Sequence, residues 1–476
     1  MTILKQPFME SNIRGQPYIT VSAKGMSNGL SDIPNDGAEF GPDTMLNATS
    51  KYQYGPPYST TSGIQEALDY VGQNNAGGIK LTAGIFNITS PITINYSGIS
   101  IEGTTHGGPT QNGSLISVNA PNIDGIDING ENELEYIILK NLRIRFTVSS
   151  TGHGINLITP SNLVGLERST FDNISIHSTD TNHYGFNLVN FLFLRGSNLS
   201  TYGCGGGINI SINGSTADLS GNSIFTETLI SAFNGSSLPA VNLNGNSISN
   251  GVQLITFNRL ELDGGSNGGN GNAYLNIENA ASCQFANVVI ETDLTSGTFN
   301  PINISNSSYL LFNGVQINNA TASMYPQINI SNSEWIYMNN WYNASVTTAT
   351  INMLSGSTNC EFKGNIGPFS FTGTGLKINS LYGTTPFTAS GPTAGSVSGI
   401  YTTFSPNYKK ILITFSGYEN DTTTNQTINF PYAFDTSALI SGNNTGLTIS
   451  TTTSGITITA PNSTTTYSGI VIVEGY

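Results

Sequence analysis

A short pattern of apolar and polar residues repeats through the middle of the chain. Each copy begins with a large apolar residue, has mostly aliphatic residues at positions four and six, and often has a polar residue between them. This alternation is the period of two that is typical of a half-buried β-strand. The copies start about 23–32 residues apart, which is a spacing found in solenoid repeats. Nine segments follow the pattern: 139–145, 171–177, 194–200, 225–231, 257–263, 285–291, 312–318, 338–344 and 362–368.

The third position of most copies is Asn or Gly. These residues adopt a left-handed backbone more easily than others, and a sharp corner in every coil would need such a residue. We therefore predict an all-β fold built on a right-handed parallel β-helix, with the apolar side chains stacked inside. The residues at this corner position are Asn141, Asn173, Gly196, Asn287, Gly314, Asn340 and Gly364.

The segments before and after the repeats have different patterns. Residues 1–60 are rich in Pro and Gly and are predicted to form an irregular N-terminal attachment segment. An amphipathic helix follows, with Ser62 as its N-cap and Gln65 completing a capping box, and we expect it to cap a β-helix of residues 61–384. Alternating strands separated by turn residues predict a small antiparallel β-sandwich over 385–476. The apolar stripe of the helix consists of Ile64, Ala67, Leu68 and Val71.

Cysteine and aromatic positions fit this repeat. Cys283 and Cys360 each precede an apolar anchor by two residues, so both should point inward, three coils apart and too far from each other for a disulfide. Trp335, Trp341 and their tyrosine neighbours form a dense aromatic cluster. A place in the core or in a subunit contact is the favoured interpretation, and an exposed member stacking on a sugar is the alternative.

Charged residues are scarce, at 9% of 476 residues, and the net charge is −14. This charge argues against a nucleic-acid partner bound through phosphate contacts. No apolar run approaches the length of a membrane span, and the first 18 residues lack the apolar region of a secretory signal. The chain is also dense in Asn-x-Ser/Thr triplets, which arise by chance in such a composition or mark glycosylation. A virion protein, made inside a cell and exposed outside it, reconciles these features.

The start of the chain resembles the opening of pectin-lyase-like β-helix proteins. The residues that carry this resemblance are Asn-Asp-Gly-Ala at 35–38, Ser-Gly-Ile-Gln-Glu-Ala at 62–67, Ala-Gly-Ile-Phe-Asn-Ile at 83–88 and Ile-Glu-Gly at 101–103. The group contains pectate lyases, polygalacturonases and viral tailspikes, so the resemblance is specific for the fold and weak for activity. The chain looks most similar to the tailspike branch, which implies a homotrimer that binds host-surface glycan alongside other virion tail proteins. Its composition and C-terminus also resemble virion proteins of viruses of hot-acid archaea.

Three carboxylates suggest a catalytic site. Position seven of each copy should point outward, and this column contains Arg145, His177, Ser200, Ser231, Asp263, Glu291 and Asn318. Asp263 and Glu291 fall on successive coils, about 5 Å apart, and Glu261 lies about 7 Å along the strand from Asp263. Paired carboxyl groups at these spacings can act as proton donor and as nucleophile or base in a retaining or an inverting glycosidase. Solvated carboxylates, sugar binding without cleavage and a Ca²⁺ site are the alternatives.

Four further residues are candidates for ligand binding. Asp293 follows Glu291 on the same face, and His177 is the one histidine of the outward column. Glu227 and Arg259 occupy the corner position on adjacent coils, where an ion pair between the coils is the favoured interpretation and a role in a groove the alternative. The four histidines have no metal-ligand spacing, and the sequence gives no indication of a cofactor.

The sequence thus favours a virion tailspike or fibre protein that recognises host-surface carbohydrate, and it leaves open whether the protein also cleaves that carbohydrate. A free polysaccharide hydrolase or lyase is the first alternative, although a lyase usually needs a basic group and Lys is scarce near the carboxylates. A structural surface protein without enzyme activity is the second. Release of new reducing ends from a glycan distinguishes an enzyme from a protein that only binds the glycan. Saturable binding to host cells argues against a purely structural role.

Overall fold

The protein is represented by a computed structural model. It describes residues 18–24, 38–74, 77–105, 113–160, 163–180, 182–214, 221–231, 238–247, 251–264, 273–292, 300–319, 327–343, 349–353, 357, 360–363, 369–372, 376–377, 385–388, 394–405, 408–419, 426–429, 438–443, 445, 447–453, 455–458 and 467–475. The chain divides into two compact units. The first is Met1–Phe285 with Glu291–Leu294, and the second is Ala286–Ile290 with Thr295–Tyr476.

The first unit is a parallel β-solenoid with two sheets, here called the front sheet and the back sheet. The front sheet contains Tyr18–Val21, Gly78–Leu81, Gly84–Ile88, Ser100–Glu102, Ser114–Val118, Leu134–Glu135, Ile138–Phe146, Leu166–Glu167, Thr170–His177, Phe191–Leu192, Arg195–Tyr202, Gly221–Ser231, Val252–Asp263, Ala280–Ala281 and Gln284–Thr292. The back sheet contains Ile92–Ile94, Ile126–Asn129, Ile155–Ile158, Tyr184–Val189, Gly206–Ser211, Val241–Asn244 and Ala273–Glu278. Each strand pairs in parallel with strands of neighbouring coils, which confirms the predicted β-helix.

The predicted alignment of the repeats is confirmed, with one exception. Leu139 lies opposite Phe171, and Phe225 lies opposite Phe257. In the coil between these pairs, however, Gly196 and not Leu194 is opposite Phe171. That copy was therefore shifted by two residues in the sequence alignment, because a glycine stands where the other coils have a large apolar anchor. The ring of Phe225 fills the space above Gly196, where a Cβ would lie 2.6 Å from it.

The predicted corner is present and left-handed. Asn141, Asn173, Asn287 and Asn340 have φ between 54° and 57°, and Gly314 has φ of 77°. The shifted coil places Asn198, with φ of 50°, at the corner that the sequence assigned to Gly196. Gly364 lies outside the described residues.

The interior of the first unit is packed so closely that several positions of one back-sheet column leave no room for a Cβ. A Cβ on Gly125, Gly154 or Gly207 would lie 2.3–2.8 Å from the front-sheet side chains Ile144, Ile176 and Ile230, respectively. Phenylalanine rings stack from coil to coil in the same interior. The ring centroids of Phe225 and Phe257 are 5.0 Å apart, and those of Phe257 and Phe285 are 5.7 Å apart. Cys283 is fully buried, as predicted, and so is Cys204.

The one helix of the described residues runs over Ile64–Gln73 and buries the predicted apolar residues. The prediction of its cap is wrong. Its N-cap is Gly63 in a left-handed conformation, and the Ser62 hydroxyl donates to the Asn87 carbonyl instead. The Thr61 hydroxyl accepts from the Gln65 amide, since the turn before the helix brings Thr61 over its first turn. A short 3₁₀ helix follows at Gly130–Asn132.

The N-terminal segment is not irregular throughout, contrary to the prediction. Tyr18–Val21 forms a parallel strand against Gly78–Leu81, with Ile19 and Val21 buried. Phe40 is also buried, and its carbonyl accepts from the Ser22 amide. Part of the segment 1–60 therefore belongs to the core of the solenoid.

The second unit contains further parallel coils and an antiparallel region. Its parallel strands are Asn300–Ser305, Ser308–Asn319, Gln327–Ser331, Glu334–Asn343, Ala349–Met353, Cys360–Lys363, Phe369–Thr372 and Leu376–Lys377. A five-stranded antiparallel sheet is formed by Thr385–Thr388, Ala394–Ser405, Tyr408–Glu419, Ala438–Asn443 and Tyr467–Gly475. A three-stranded antiparallel sheet is formed by Gln426–Asn429, Ile449–Thr451 and Gly455–Ile458. The antiparallel C-terminal region is therefore confirmed.

The aromatic cluster of the second unit is divided between the core and the surface. Trp341 is 1% exposed and packs edge-on against Phe312, as the favoured interpretation predicts. Trp335 stacks on Tyr309, which is 55% exposed. Cys360 is buried, as predicted. In the part of the chain that the structure describes, no helix is long and apolar enough to cross a membrane.

Candidate functional site

Two neighbouring columns of outward side chains run across the front sheet of the first unit. Both point away from the core because they alternate with buried residues such as Leu260 and Leu262. We call these columns the outer stripe. The first column contains Arg145, His177, Tyr202, Ser231 and Asp263, and the second contains Arg143, Ser175, Ser200, Leu229 and Glu261.

The acidic end of the outer stripe contains Glu261, Asp263 and Glu291. Glu261 is exposed and Asp263 is half-buried, two residues apart on one strand. The Gly264 amide donates to the Glu291 carbonyl at 3.0 Å, and Phe257 stacks on Phe285 one coil away. These contacts place Asp263 beside Glu291 on the next coil, where Cα atoms of parallel strands lie about 5 Å apart. The backbone thus brings together the three carboxylates that the sequence proposed.

The basic end of the outer stripe contains Arg143, Arg145 and His177. Nη2 of Arg143 lies 3.5 Å from Nδ1 of His177, and Nε2 of His177 lies 2.8 Å from the Ser175 hydroxyl. A guanidinium can only donate, so Nδ1 accepts and Nε2 carries the proton. Burial, followed by the charges of Arg143 and Arg145, lowers the pKa of His177 to about 4. His177 is therefore neutral at neutral pH and acts as a hydrogen-bonding group.

Tyr202 lies between the two ends, and sequence reasoning missed it. The shifted alignment assigned Ser200 to its place, whereas the structure pairs Tyr202 with His177 and Ser231. Its side chain is 53% exposed, and Leu229 beside it in the second column is 39% exposed. The glycine at 196, recognised as the absent anchor, would have been the signal for the correct register.

Glu227 and Arg259 form the ion pair that the sequence favoured. Nη1 of Arg259 lies 3.4 Å from Oε1 of Glu227, and their side chains are 69% and 56% exposed. Both residues have a left-handed backbone, with φ of 62° at Arg259 and 51° at Glu227. Their corner column is separate from the outer stripe. Asp293 lies outside the described residues, and Asn318 belongs to the second unit.

A second pair of carboxyl groups lies on the back sheet, and the sequence analysis did not identify it. Asp124 Oδ2 accepts from Nδ2 of Asn156 at 2.8 Å, and Asp124 Oδ1 accepts from the His153 amide. Oδ1 of Asp127 is buried and makes no hydrogen bond within the part of the chain that the structure describes. Burial, followed by hydrogen bonding and repulsion from Asp124, raises the pKa of Asp127 to about 8. Asp127 therefore keeps its proton at neutral pH.

A ladder of asparagines extends from this pair along the back sheet. Each Nδ2 group donates to Oδ1 of the asparagine on the preceding coil at 2.7–2.8 Å, and the first one donates to Asp124. All the donors point toward Asp124, whose Oδ2 accepts the last hydrogen bond of the ladder. The members are Asn156, Asn187, Asn209, Asn242 and Asn276.

The outer stripe can do two kinds of chemistry. An exposed tyrosine and arginine side chains are suited to stacking and hydrogen bonding with a sugar, and neighbouring carboxyl groups are suited to proton transfer at a glycosidic bond. Among the described residues, no group of three or more His, Cys, Asp or Glu side chains is arranged to hold a metal ion.

Comparison with known proteins gives similarity at the level of fold. No protein-family model matches the chain, and no curated protein matches it at a significant level. Among solved structures, DFA-IIIase from Arthrobacter chlorophenolicus A6 is 13% identical, with a TM-score of 0.39, 60% of this chain covered and 83% of that chain. A protein of Geobacillus virus E2 is 11% identical, with a TM-score of 0.26, 95% of this chain covered and 76% of that chain.

A tailspike protein of an Acinetobacter baumannii bacteriophage, a capsular polysaccharide depolymerase, is also similar. It is 11% identical, with a TM-score of 0.23, 86% of this chain covered and 81% of that chain. The parallel β-helix that the resemblance implies is shown by the strand pairing of this chain itself, and these comparisons add no argument to it. Identities and scores this low give no residue of the outer stripe its role.

Proposed function

We propose that this protein recognises a surface glycan along the outer stripe and hydrolyses it at the acidic end. The observation that carries this proposal is the exposed Tyr202, which lies between the arginines at one end and the carboxylates at the other. Neighbouring strands repeat about every 4.8 Å, so the stripe offers one contact per coil to an extended chain of sugars. An aromatic ring with a polar rim is a suitable platform for a sugar, which has apolar faces and polar edges.

Cleavage is assigned to Asp263 and Glu291, with Glu261 as a supporting carboxylate. One carboxyl group donates a proton to the leaving glycosidic oxygen, while the other, ionised, acts as nucleophile or activates a water molecule. Both are half-buried at the end of the outer stripe, where a bound sugar would reach them. The anomeric configuration of the first product, followed by NMR, decides between retention and inversion.

The test of catalysis uses glycan prepared from candidate host envelopes. Wild-type protein should release new reducing ends, and Asp263→Asn and Glu291→Gln should each lower the rate by roughly a hundredfold or more. Asp172→Asn is the matched control, because Asp172 is an outward carboxylate of the front sheet that pairs with Lys140 outside the stripe. Absence of cleavage by the wild type, or equal rates in all three variants, would remove the catalytic assignment.

We further propose that the protein is part of a virion and acts as a homotrimer. The five-stranded sheet of the second unit supports a subunit contact, because Leu439 and Ile470 on one of its faces are 69% and 37% exposed. Its other face is buried through Ile411, Ile413 and Val473. Light scattering should give three times the chain mass of 50.3 kDa. Leu439→Asp should reduce that mass, and a monomeric wild type would contradict the proposal.

A further inference from the structure

The basic end of the outer stripe stands out against the charge of the whole chain. The net charge is −14, yet Arg143 and Arg145 project from the same face of one strand. The residues paired with Arg145 on the neighbouring coils are Ser117 and His177, neither of which is charged at neutral pH. Within the described ranges Arg145 makes no ion pair, whereas Lys140 on the same strand is paired with Asp172.

The positive charge at this end is concentrated. Burial and the neighbouring charge of Arg145 lower the pKa of Arg143. Burial, followed by the charges of the same two arginines, holds the pKa of His177 at about 4. Like charges held side by side destabilise the free protein, and a bound anion would relieve the repulsion.

We propose that the basic end of the outer stripe binds an anionic group of the glycan, a carboxylate or a sulfate ester, with Arg145 as its main contact. This inference rests on the proposed function and names the class of substrate. The exposed guanidinium of Arg145 can donate two parallel hydrogen bonds to a planar carboxylate or to two sulfate oxygens. The neutral imidazole of His177 adds a polar neighbour without a competing charge.

The position of the acidic end restricts the ligand further. Arg145 and Asp263 are separated by four coil steps, or about 19 Å. An anionic group on every sugar would also place negative charge against Glu261, Asp263 and Glu291, and would be repelled. The substrate is therefore a heteropolysaccharide in which acidic sugars are separated by several neutral ones, and a homopolymer of uronic acid is excluded.

The binding test uses a microarray of neutral, uronate-containing, sulfated and sialylated oligosaccharides, with homopolymeric polygalacturonate among them. Wild-type protein should bind oligosaccharides that carry spaced acidic groups in preference to neutral ones and to polygalacturonate. Arg145→Gln should weaken this binding by roughly tenfold or more. Arg195→Gln is the matched control, because Arg195 is an exposed arginine on the Arg195–Tyr202 strand but lies outside the outer stripe. It should change binding by less than about twofold.

A local measurement guards against indirect effects of the substitution. In wild-type protein, the pKa of His177 followed by NMR should rise when the best acidic oligosaccharide from the array is added, because the bound anion offsets the arginine charges. The carboxyl-reduced form of the same oligosaccharide should leave it unchanged.

The outcomes separate the two proposals. Binding of neutral and acidic forms with equal affinity, or equal effects of the two arginine variants, would overturn the anion site and leave glycan recognition standing. Preference for polygalacturonate would overturn the spacing argument. No binding to any glycan on the array would overturn the proposed function and the anion site together.

Discussion

The ring of Tyr202 lies against the imidazole of His177 on the neighbouring coil, with 5.6 Å between their centroids and 31° between their planes. His177 is fixed in turn by Arg143 and Ser175. The imidazole therefore supports one side of a tyrosine that is otherwise largely in water. A ring held in this way loses little freedom when a sugar packs on it, which favours binding.

Replacing Tyr202 with alanine should weaken glycan binding by about tenfold while leaving the unfolding temperature within a few degrees of the wild type. The expected effect on stability is small because the side chain is 53% exposed. Tyr309→Ala is the control, since Tyr309 is 55% exposed and belongs to the second unit. Calorimetric titration measures the affinity, and equal losses in both variants would argue against a role of Tyr202 in the site.

Replacing Asp127 with asparagine should remove part of the pH dependence of stability. The pKa of Asp127 is about 8 in the folded protein, whereas an unfolded aspartate titrates near 4. The unfolded chain thus releases this proton first as the pH rises, and stability falls between about pH 4 and pH 8. The variant should match the wild type near pH 4 and exceed it by about 1–3 kcal/mol near pH 8, allowing for solvent screening. Urea unfolding across this range measures the difference.

The test compares two curves of unfolding free energy against pH, one for the wild type and one for Asp127→Asn. Only the difference between the curves reports on Asp127, because other groups titrate in both proteins. Asparagine keeps the shape of the side chain and can still donate to Asp124. A difference in unfolding free energy that stays constant from pH 4 to pH 8 would show that the proton is not held at Asp127.

Replacing Asn187 with aspartate should break the asparagine ladder in a pH-dependent way. Asn187 donates to Asn156 and accepts from Asn209, each at 2.7 Å. A carboxylate cannot donate, so at pH 7 the substitution should cost about 1–3 kcal/mol. Near pH 3 the introduced carboxyl group carries a proton and can donate to Asn156, and the loss should largely disappear. Asn198→Asp, at an exposed corner, is the control and should be nearly neutral at both pH values.

The corner asparagines and the outer stripe show what could be predicted from this sequence. The repeat of apolar anchors, with Asn at the corner, predicts the coils and the register of Asp263 with Glu291, because register in a β-helix follows from inward and outward alternation. The register fails only where Gly196 replaces an anchor, since the ring of Phe225 fills that space from another coil. The glycine itself is the local sign of such a replacement.

The Asp124–Asp127 pair could not be predicted for a related reason. The raised pKa of Asp127 depends first on burial and then on Asp124. The burial depends on the packing of neighbouring coils, such as the pairing of Ile126 with Ile155. The two aspartates are three residues apart in the sequence, which suggests nothing unusual. The sequence also could not identify Gly63 as the N-cap or Thr61 as the acceptor of the Gln65 amide. Ser62 fits the capping pattern, and only the course of the backbone rules it out.

Replacing both Glu227 and Arg259 with asparagine should stabilise the protein slightly, by about 0.5–1 kcal/mol, although it removes an ion pair. Both residues adopt a left-handed backbone, which costs Glu and Arg more than Asn. Their ion pair is exposed on both sides, with 3.4 Å between the charged atoms, so it contributes little. The two new amides can also join a corner row in which Asn173 already donates to Asn141 at 2.7 Å. Urea unfolding of the double variant measures the balance. A double variant that is less stable than the wild type by more than about 1 kcal/mol would contradict this expectation and would mean that the ion pair holds these coils together.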